Sequence, residues 1–426
     1  MIFFYILVFG MPLVNQPLFA SFLSDLTIAK YMGAVSALYA VYWLIRRSHM
    51  PAAMHCKMLA AFIGFYLIAL VSHFTRSLPV PWELSPFLSL TSFLVLYFIV
   101  AVLVDEPNRL RWVYRTAILA VTVGAMYMVR EWKEYHLLYR DFRPGFVVGD
   151  ANYFTLSALL CLPVAVMLLR GKSGWLEKSF LAFSLAVTLV AVVLGGSRGG
   201  FVGLVIEAVL FLWVERRRLG GLIAIAVLAA PLFVLLPQSP LARLLHPDYS
   251  ANSAEQSRLV TWAAGIRMFR AHPIGGVGLG NFKSLTLSYE TGNIKVLTLA
   301  HNTYIEVAAE LGLPGLLLFI FIFIGGLRNA GVAARLAPAD HWISQTSRGV
   351  QIGLIGCAVG IFFLSAEQQK LMWLMLFITP CIRELAGHIA HPAPARVLVQ
   401  SPRPRLALPS TPAMVTRART LAEMFR

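Results

Sequence analysis

Phe180-Leu-Ala-Phe-Ser-Leu-Ala-Val-Thr-Leu-Val-Ala-Val-Val-Leu194-Gly-Gly-Ser-Arg198-Gly-Gly200-Phe-Val-Gly-Leu-Val-Ile-Glu207-Ala-Val-Leu-Phe-Leu-Trp-Val214 decides the fold. Two apolar runs flank a short glycine-rich turn whose single charge is Arg198, and only Glu207 interrupts the second run. In lipid the backbone must satisfy its own N–H and C=O groups, so this pattern reads as two helices joined by a tight turn at the membrane surface.

Working outward, similar runs fill the chain. They are Ile2–Leu23, Ile28–Ile45, Met58–Val71, Phe87–Val104, Trp112–Met128, Tyr153–Leu169, Phe180–Leu194, Phe201–Val214, Leu222–Leu236, Leu313–Leu327, Val350–Leu364 and Leu371–Ile382. A spanning helix needs ~20 apolar residues, so the shorter runs must extend into their flanks. The composition agrees, with 58% hydrophobic and 13% charged residues and a mean hydropathy of +0.72. A soluble multidomain chain carries about a quarter of its residues as charges, and that class is excluded. The expectation is an all-α polytopic membrane protein of about 12 transmembrane helices over 1–387. The first run has neither a basic start nor a small-residue cleavage site, so it reads as a retained helix. Four cysteines lie in or beside apolar runs with no CxxC spacing, which argues against a disulfide framework or a thiolate metal site.

Charge sets the expected orientation. With the N-terminus inside, 22 of the 36 Lys and Arg residues fall on the cytoplasmic side, tail included. The net charge of +16 is then mostly a matter of topology and no sign of a nucleic-acid partner. Both termini are expected in the cytoplasm. The tail 388–426, rich in proline and arginine, reads as disordered and close to anionic lipid. A loop from 237 to 300, between helices 9 and 10, is expected outside, at a length usually kept for functional segments.

Three external segments carry groups able to do chemistry. Arg143-Pro-Gly-Phe-Val-Val-Gly-Asp150-Ala-Asn152-Tyr153 ends where a helix begins; Asp150 is either a plain helix cap or part of a site. In Gly195-Gly-Ser-Arg198-Gly-Gly200, small residues let backbone amides near a ligand, and a planar guanidinium suits a phosphate or pyrophosphate. A snorkelling interfacial arginine is the plainer alternative. The third segment runs from Ser257-Arg258-Leu-Val-Thr-Trp262 through Arg267 to His272-Pro-Ile-Gly-Gly-Val-Gly-Leu-Gly280-Asn-Phe282, and on to His301-Asn302-Thr-Tyr-Ile-Glu306-Val-Ala-Ala-Glu310. Its first part has helical spacing and is expected to lie on the membrane surface. No buried strand precedes the glycine run, so it is not a nucleotide loop. His301 is structural or catalytic. Glu306 and Glu310 share a helix face, and one of them either orients the imidazole or pairs with a loop arginine.

At these blocks, GDANYF, GGSRGGFVGL, SRLVTWAAGIRMFRAHPIGGVGLGNF and HNTYIEVAAELGLPGLLLF, the sequence resembles the bacterial O-antigen ligase superfamily, which includes O-antigen polymerases and protein O-oligosaccharyltransferases. The resemblance covers most of Arg143 to Leu327. It implies a GT-C-like glycosyltransferase of the bacterial inner membrane with a large, partly helical periplasmic loop and a site facing the periplasm. It also implies inverting transfer of a glycan from undecaprenyl pyrophosphate to a sugar hydroxyl of lipid A-core, with no cofactor and no metal. By the same resemblance His301 is the essential histidine, Arg198 the arginine of the glycine turn, and Arg258 or Arg267 the second arginine. Arg143, Asp150 and Asn302, within the stretch that the resemblance covers, are candidate substrate contacts. The chemistry is coherent on its own terms: a pyrophosphate leaves without a protein acid, arginines take its charge, and one base suffices. A polymerase or a protein-glycosylating ligase would share donor and chemistry. A twelve-helix transporter is the rival from another class. It is disfavoured because no repeat relates the halves and the unusual residues crowd one face.

Overall fold

The computed structural model describes residues 1–13, 28–47, 50–78, 85–138, 142–145, 148–214, 249–291 and 297–391. Every regular element among them is helical: α1 (Ile2–Gly10), α2 (Ile28–Ile45), α3 (Lys57–Arg76), α4 (Pro86–Leu103), α5 (Pro107–Tyr135), α6 (Ala151–Arg170), α7 (Trp175–Gly195), α8 (Arg198–Val214), α9 (Tyr249–Ala271), α10 (Phe282–Tyr289), α11 (Thr303–Leu336), α12 (Trp342–Gly360) and α13 (Lys370–Ala390). Eleven of the twelve apolar runs coincide with or begin in one of these helices. The run Leu222–Leu236, the end of the first run and the ends of the 237–300 loop lie outside the described residues. Seven helices among those described, α3 to α7, α11 and α12 with its following turn, are long and apolar enough to cross a membrane. The chain is a polytopic helical membrane protein.

Their outer faces agree with that reading. Leu67, Val71 and Phe74 on α3 and Leu317, Phe321 and Ile324 on α11 are all exposed. Each trio follows the i, i+4, i+7 spacing of a single helix face. Contiguous apolar stripes of this kind are rare on monomeric soluble proteins, and lipid is the solvent that covers them.

Inside, α13 is the central post, with every residue from Leu371 to Ile382 buried. A helix apolar on all sides belongs in the core. Its Trp373 ring meets Phe62 at 5.2 Å, Phe93 at 5.6 Å and Phe319 at 6.1 Å. Beside it α6 and α12 pack closely because α12 presents Gly349 and Gly353: a Cβ at either would sit 2.9 Å from the carbonyl oxygen of Pro163 or Leu159. Small residues four apart let membrane helices approach backbone to backbone. The helix α13 runs through Ala390, so the tail expected from 388 begins no earlier than His391.

The helix ends sort by charge. Arg47 and Arg109 pair with Asp105, and Arg111 and Arg115 pair with Glu177, between the α2 and α4 C-terminal ends and the α5 and α7 N-terminal ends. The opposite end of the bundle gathers the α6, α8, α11 and α13 N-termini with the α7 and α12 C-termini, and the unusual sequence blocks lie there.

Candidate functional site

At that end a cavity of about 120 Å³ is lined by Arg143, Asn152, Arg198, Arg258, Phe363 and Leu364, with the glycines of the α7–α8 turn. Three arginines distant in sequence thus face one small space. Each arrives for a local reason. Gly196 takes the left-handed conformation (φ 57°) that ends α7. Ser197 then accepts from the Gly200 N–H at 3.3 Å, so α8 starts at Arg198, and its N-terminal end adds partial positive charge. The flanking glycines serve packing as much as ligand access: a Cβ at Gly199 would strike Phe363 at 2.5 Å, and one at Gly200 would strike Thr155 at 2.1 Å. Arg143 Nε donates to the Gly195 carbonyl at 2.9 Å and its Nη2 to Asn152 Oδ1 at 3.3 Å, tying the end of α7 to the start of α6. Arg258 comes from α9, the helix expected on the surface.

His301 stands beside this cavity, without lining it, and is held in strain. Its φ of 49° is the only positive value among the described non-glycine residues, in a region that usually costs a non-glycine residue about 1–3 kcal/mol. Its surroundings enforce it. Trp262 Nε1 donates to the Ala300 carbonyl at 2.8 Å. Two residues on, the Thr303 N–H and hydroxyl both donate to the carbonyl of the cavity residue Leu364, at 3.1 and 2.6 Å. The Ala366 N–H returns to Thr303 Oγ1 at 2.9 Å. Burial pushes the His301 imidazole below the usual histidine pKa, the Arg258 guanidinium adds to that, and Asp150 opposes it. The ring is therefore neutral at neutral pH and able to accept a proton.

Other expected site residues fall elsewhere. Arg267 does not reach the cavity; its Nε donates to the Tyr289 carbonyl at 2.5 Å and ties α9 to the end of α10. Of the two candidate second arginines, only Arg258 shares the cavity with Arg198. Asn302 is fully buried and caps α11, its Oδ1 accepting from the Ile305 N–H at 3.1 Å. Asp150 does cap α6, accepting from the Asn152 N–H at 2.6 Å, and its charge also acts on His301.

Neither alternative offered for Glu306 and Glu310 describes their hydrogen bonds. Glu306 accepts the Ser365 hydroxyl. Glu310 accepts the Gly280 and Phe282 N–H groups at 2.9 and 3.0 Å and so fastens the glycine run. That run lies against a break in α11: Gly312 has φ 68° and ψ −171°, Gly276 has φ 63°, and a Cβ on Gly276 would sit 2.1 Å from the Glu310 carbonyl oxygen. Val277 N–H to Ala309 O and Leu313 N–H to Pro273 O complete the seam, at 2.8 and 2.7 Å. Its glycines serve backbone contact. The turn Ile361–Gln369 was missed as part of the site; its sign was Ser365-Ala-Glu-Gln-Gln-Lys370, a polar break between two apolar runs. Among the described residues no group of three His, Cys, Asp or Glu side chains is disposed to hold a metal.

The fold and this cavity define a helical membrane protein with three arginines around one small cavity at one end of its bundle. Residues 183–320 match a family model described as O-Antigen ligase. The match runs from within α7 into α11 and so includes Arg198, Arg258 and His301. Glycosyl transfer, broadly, is the chemistry of this family, and lipid-linked polysaccharides are its donors in general. No curated protein matches the sequence.

Proposed function

We propose that this protein is an inverting glycosyltransferase that moves O-antigen polysaccharide from undecaprenyl pyrophosphate to a sugar hydroxyl of lipid A-core, at the periplasmic face of the inner membrane. One observation carries the reading: Arg143, Arg198 and Arg258, from three separate segments, line one cavity beside a neutral, half-buried histidine. The acceptor hydroxyl attacks the anomeric carbon while His301 takes its proton. The bond between that carbon and the pyrophosphate oxygen breaks, and the carrier leaves with the electron pair. Guanidiniums held in place stabilise the charge that develops on the leaving group, without reorganisation during the reaction. One displacement inverts the anomeric centre. Metal is not required by this scheme, because the arginines already carry the leaving-group charge.

The test is transfer in detergent with purified protein, lipid-linked glycan and lipid A-core. Full activity is expected without ATP or divalent metal, and its absence in folded protein would instead favour transport. Arg198→Lys keeps a charge but loses the planar fork, and a loss of at least tenfold is expected. The lipopolysaccharide of a deletion strain separates the acceptors. Full-length polymer accumulating on the carrier supports ligation, whereas single repeat units on core support the polymerase reading.

A further inference from the structure

A second cavity opens at the same end of the bundle, and the arginine site does not use it. It measures about 330 Å³ and is lined by Ser89, Tyr153, Ser157, Gln368, Gln369 and Lys370, with Gly149 at its edge. The two spaces share one helix. Asn152, Leu156 and Leu159 of α6 face the arginine cavity, while Tyr153 and Ser157 of α6 face the second, with Gly149 just before the helix. Each set has helical spacing and the two are offset by one residue, so the cavities lie on adjacent faces of the first turns of α6. They also share one strap: Phe363 and Leu364 line the first, Gln368 to Lys370 line the second, and Tyr153 holds the middle by donating to the Ser365 carbonyl at 2.6 Å. The loop bearing His301 is fastened to this strap through Thr303 and Leu364.

Size and chemistry divide the labour. Small-molecule sites usually enclose roughly 300–1,000 Å³; the arginine cavity, at about 120 Å³, falls well below that and the second cavity reaches it. The first is rich in cations. The second presents amides, hydroxyls and one ammonium beside the apolar Met11, Pro12 and Val148; its polar groups donate to and accept from hydroxyls without demanding a negative partner. Part of this set is already ordered, with Gln369 Nε2 on Ser157 Oγ at 2.8 Å and Ser89 Oγ on Gln368 Oε1 at 3.4 Å.

We propose that this second cavity binds the acceptor, taking a hydroxyl-bearing sugar on Gln368, Ser89 and Lys370 and presenting it across the 363–370 strap to the carbon held beside the arginines. The inference rests on the transferase reading above. Gln368 and Lys370 are exposed, so Gln368→Ala and Lys370→Met are expected to fold; Ser89→Leu narrows the space as an independent change. With lipid A-core as acceptor and lipid-linked glycan as donor, each variant is expected to raise the acceptor KM by up to about tenfold, the scale of one lost hydrogen bond. The donor KM is expected to stay at its wild-type value. Arg198→Lys should give the reverse pattern. If wild-type protein transfers and these variants leave the acceptor KM unchanged, or change the donor KM instead, the acceptor site is overturned. A wild-type protein that transfers to no sugar overturns the transferase reading itself, and the acceptor site with it.

Discussion

His301 combines a left-handed backbone, partial burial and two opposing charges, and each has a measurable consequence. Glycine adopts φ 49° without the clash that alanine or histidine suffers. His301→Gly should therefore melt higher than His301→Ala, by about 1 kcal/mol of stability, while neither variant transfers glycan. Appreciable turnover in either would remove the imidazole as base. The proton balance predicts a pH profile. Transfer needs neutral His301, so the rate falls as pH drops through a pKa that burial and Arg258 hold below the ordinary value. Arg258→Gln removes a charge that lowers this pKa, and the acid limb of its residual activity should move to higher pH. Asp150→Asn should move it to lower pH, since Asp150 raises the pKa and asparagine still caps the helix. A limb that stays put in both variants would assign the titration to another group.

At the scale of elements, the site depends on seams made by glycines. The run at 272–281 lies backbone to backbone on the broken N-terminal part of α11, and the same loop grips the end of α3: Arg76 Nη1 donates to the Gly276 carbonyl at 2.6 Å and Ser77 Oγ to the Leu279 carbonyl at 2.8 Å. Gly276→Ala meets both a positive φ and a backbone oxygen 2.1 Å from the new carbon. A loss of about 1–3 kcal/mol is expected, read as a lower melting temperature in detergent with activity falling in parallel. Gly353→Leu should force α6 and α12 apart. Because α6 carries Asn152 and α12 leads to Phe363, it should weaken donor binding from a distance, which a donor KM measurement would register. Most of the helices were legible here from apolar runs, and α9 from its helical spacing. The partners of Glu306 and Glu310 were not, because spacing of four residues shows a shared face but not what lies opposite it.

For the whole molecule, the charge count predicts which side of the membrane each end of the bundle faces, and cysteine labelling tests it. Ser284 is exposed on α10, at the end with the arginine cavity, and Lys172 is exposed at the opposite end. An impermeant maleimide added to spheroplasts should label Ser284→Cys and should reach Lys172→Cys only after permeabilisation; the reverse pattern would invert the proposed orientation. The class of fold, the position of most spans and the segments worth watching could all be read from residue order, since a helix in lipid satisfies its backbone within a single continuous run. Convergence could not. Arg143, Arg198 and Arg258 meet because the start of α6, the end of α7 and the start of α8 come together beside the middle of α9, and Arg267, nine residues from Arg258, turns instead to Tyr289. Which of two like charges faces a cavity is a matter of packing between distant elements, and linear spacing carries no record of it.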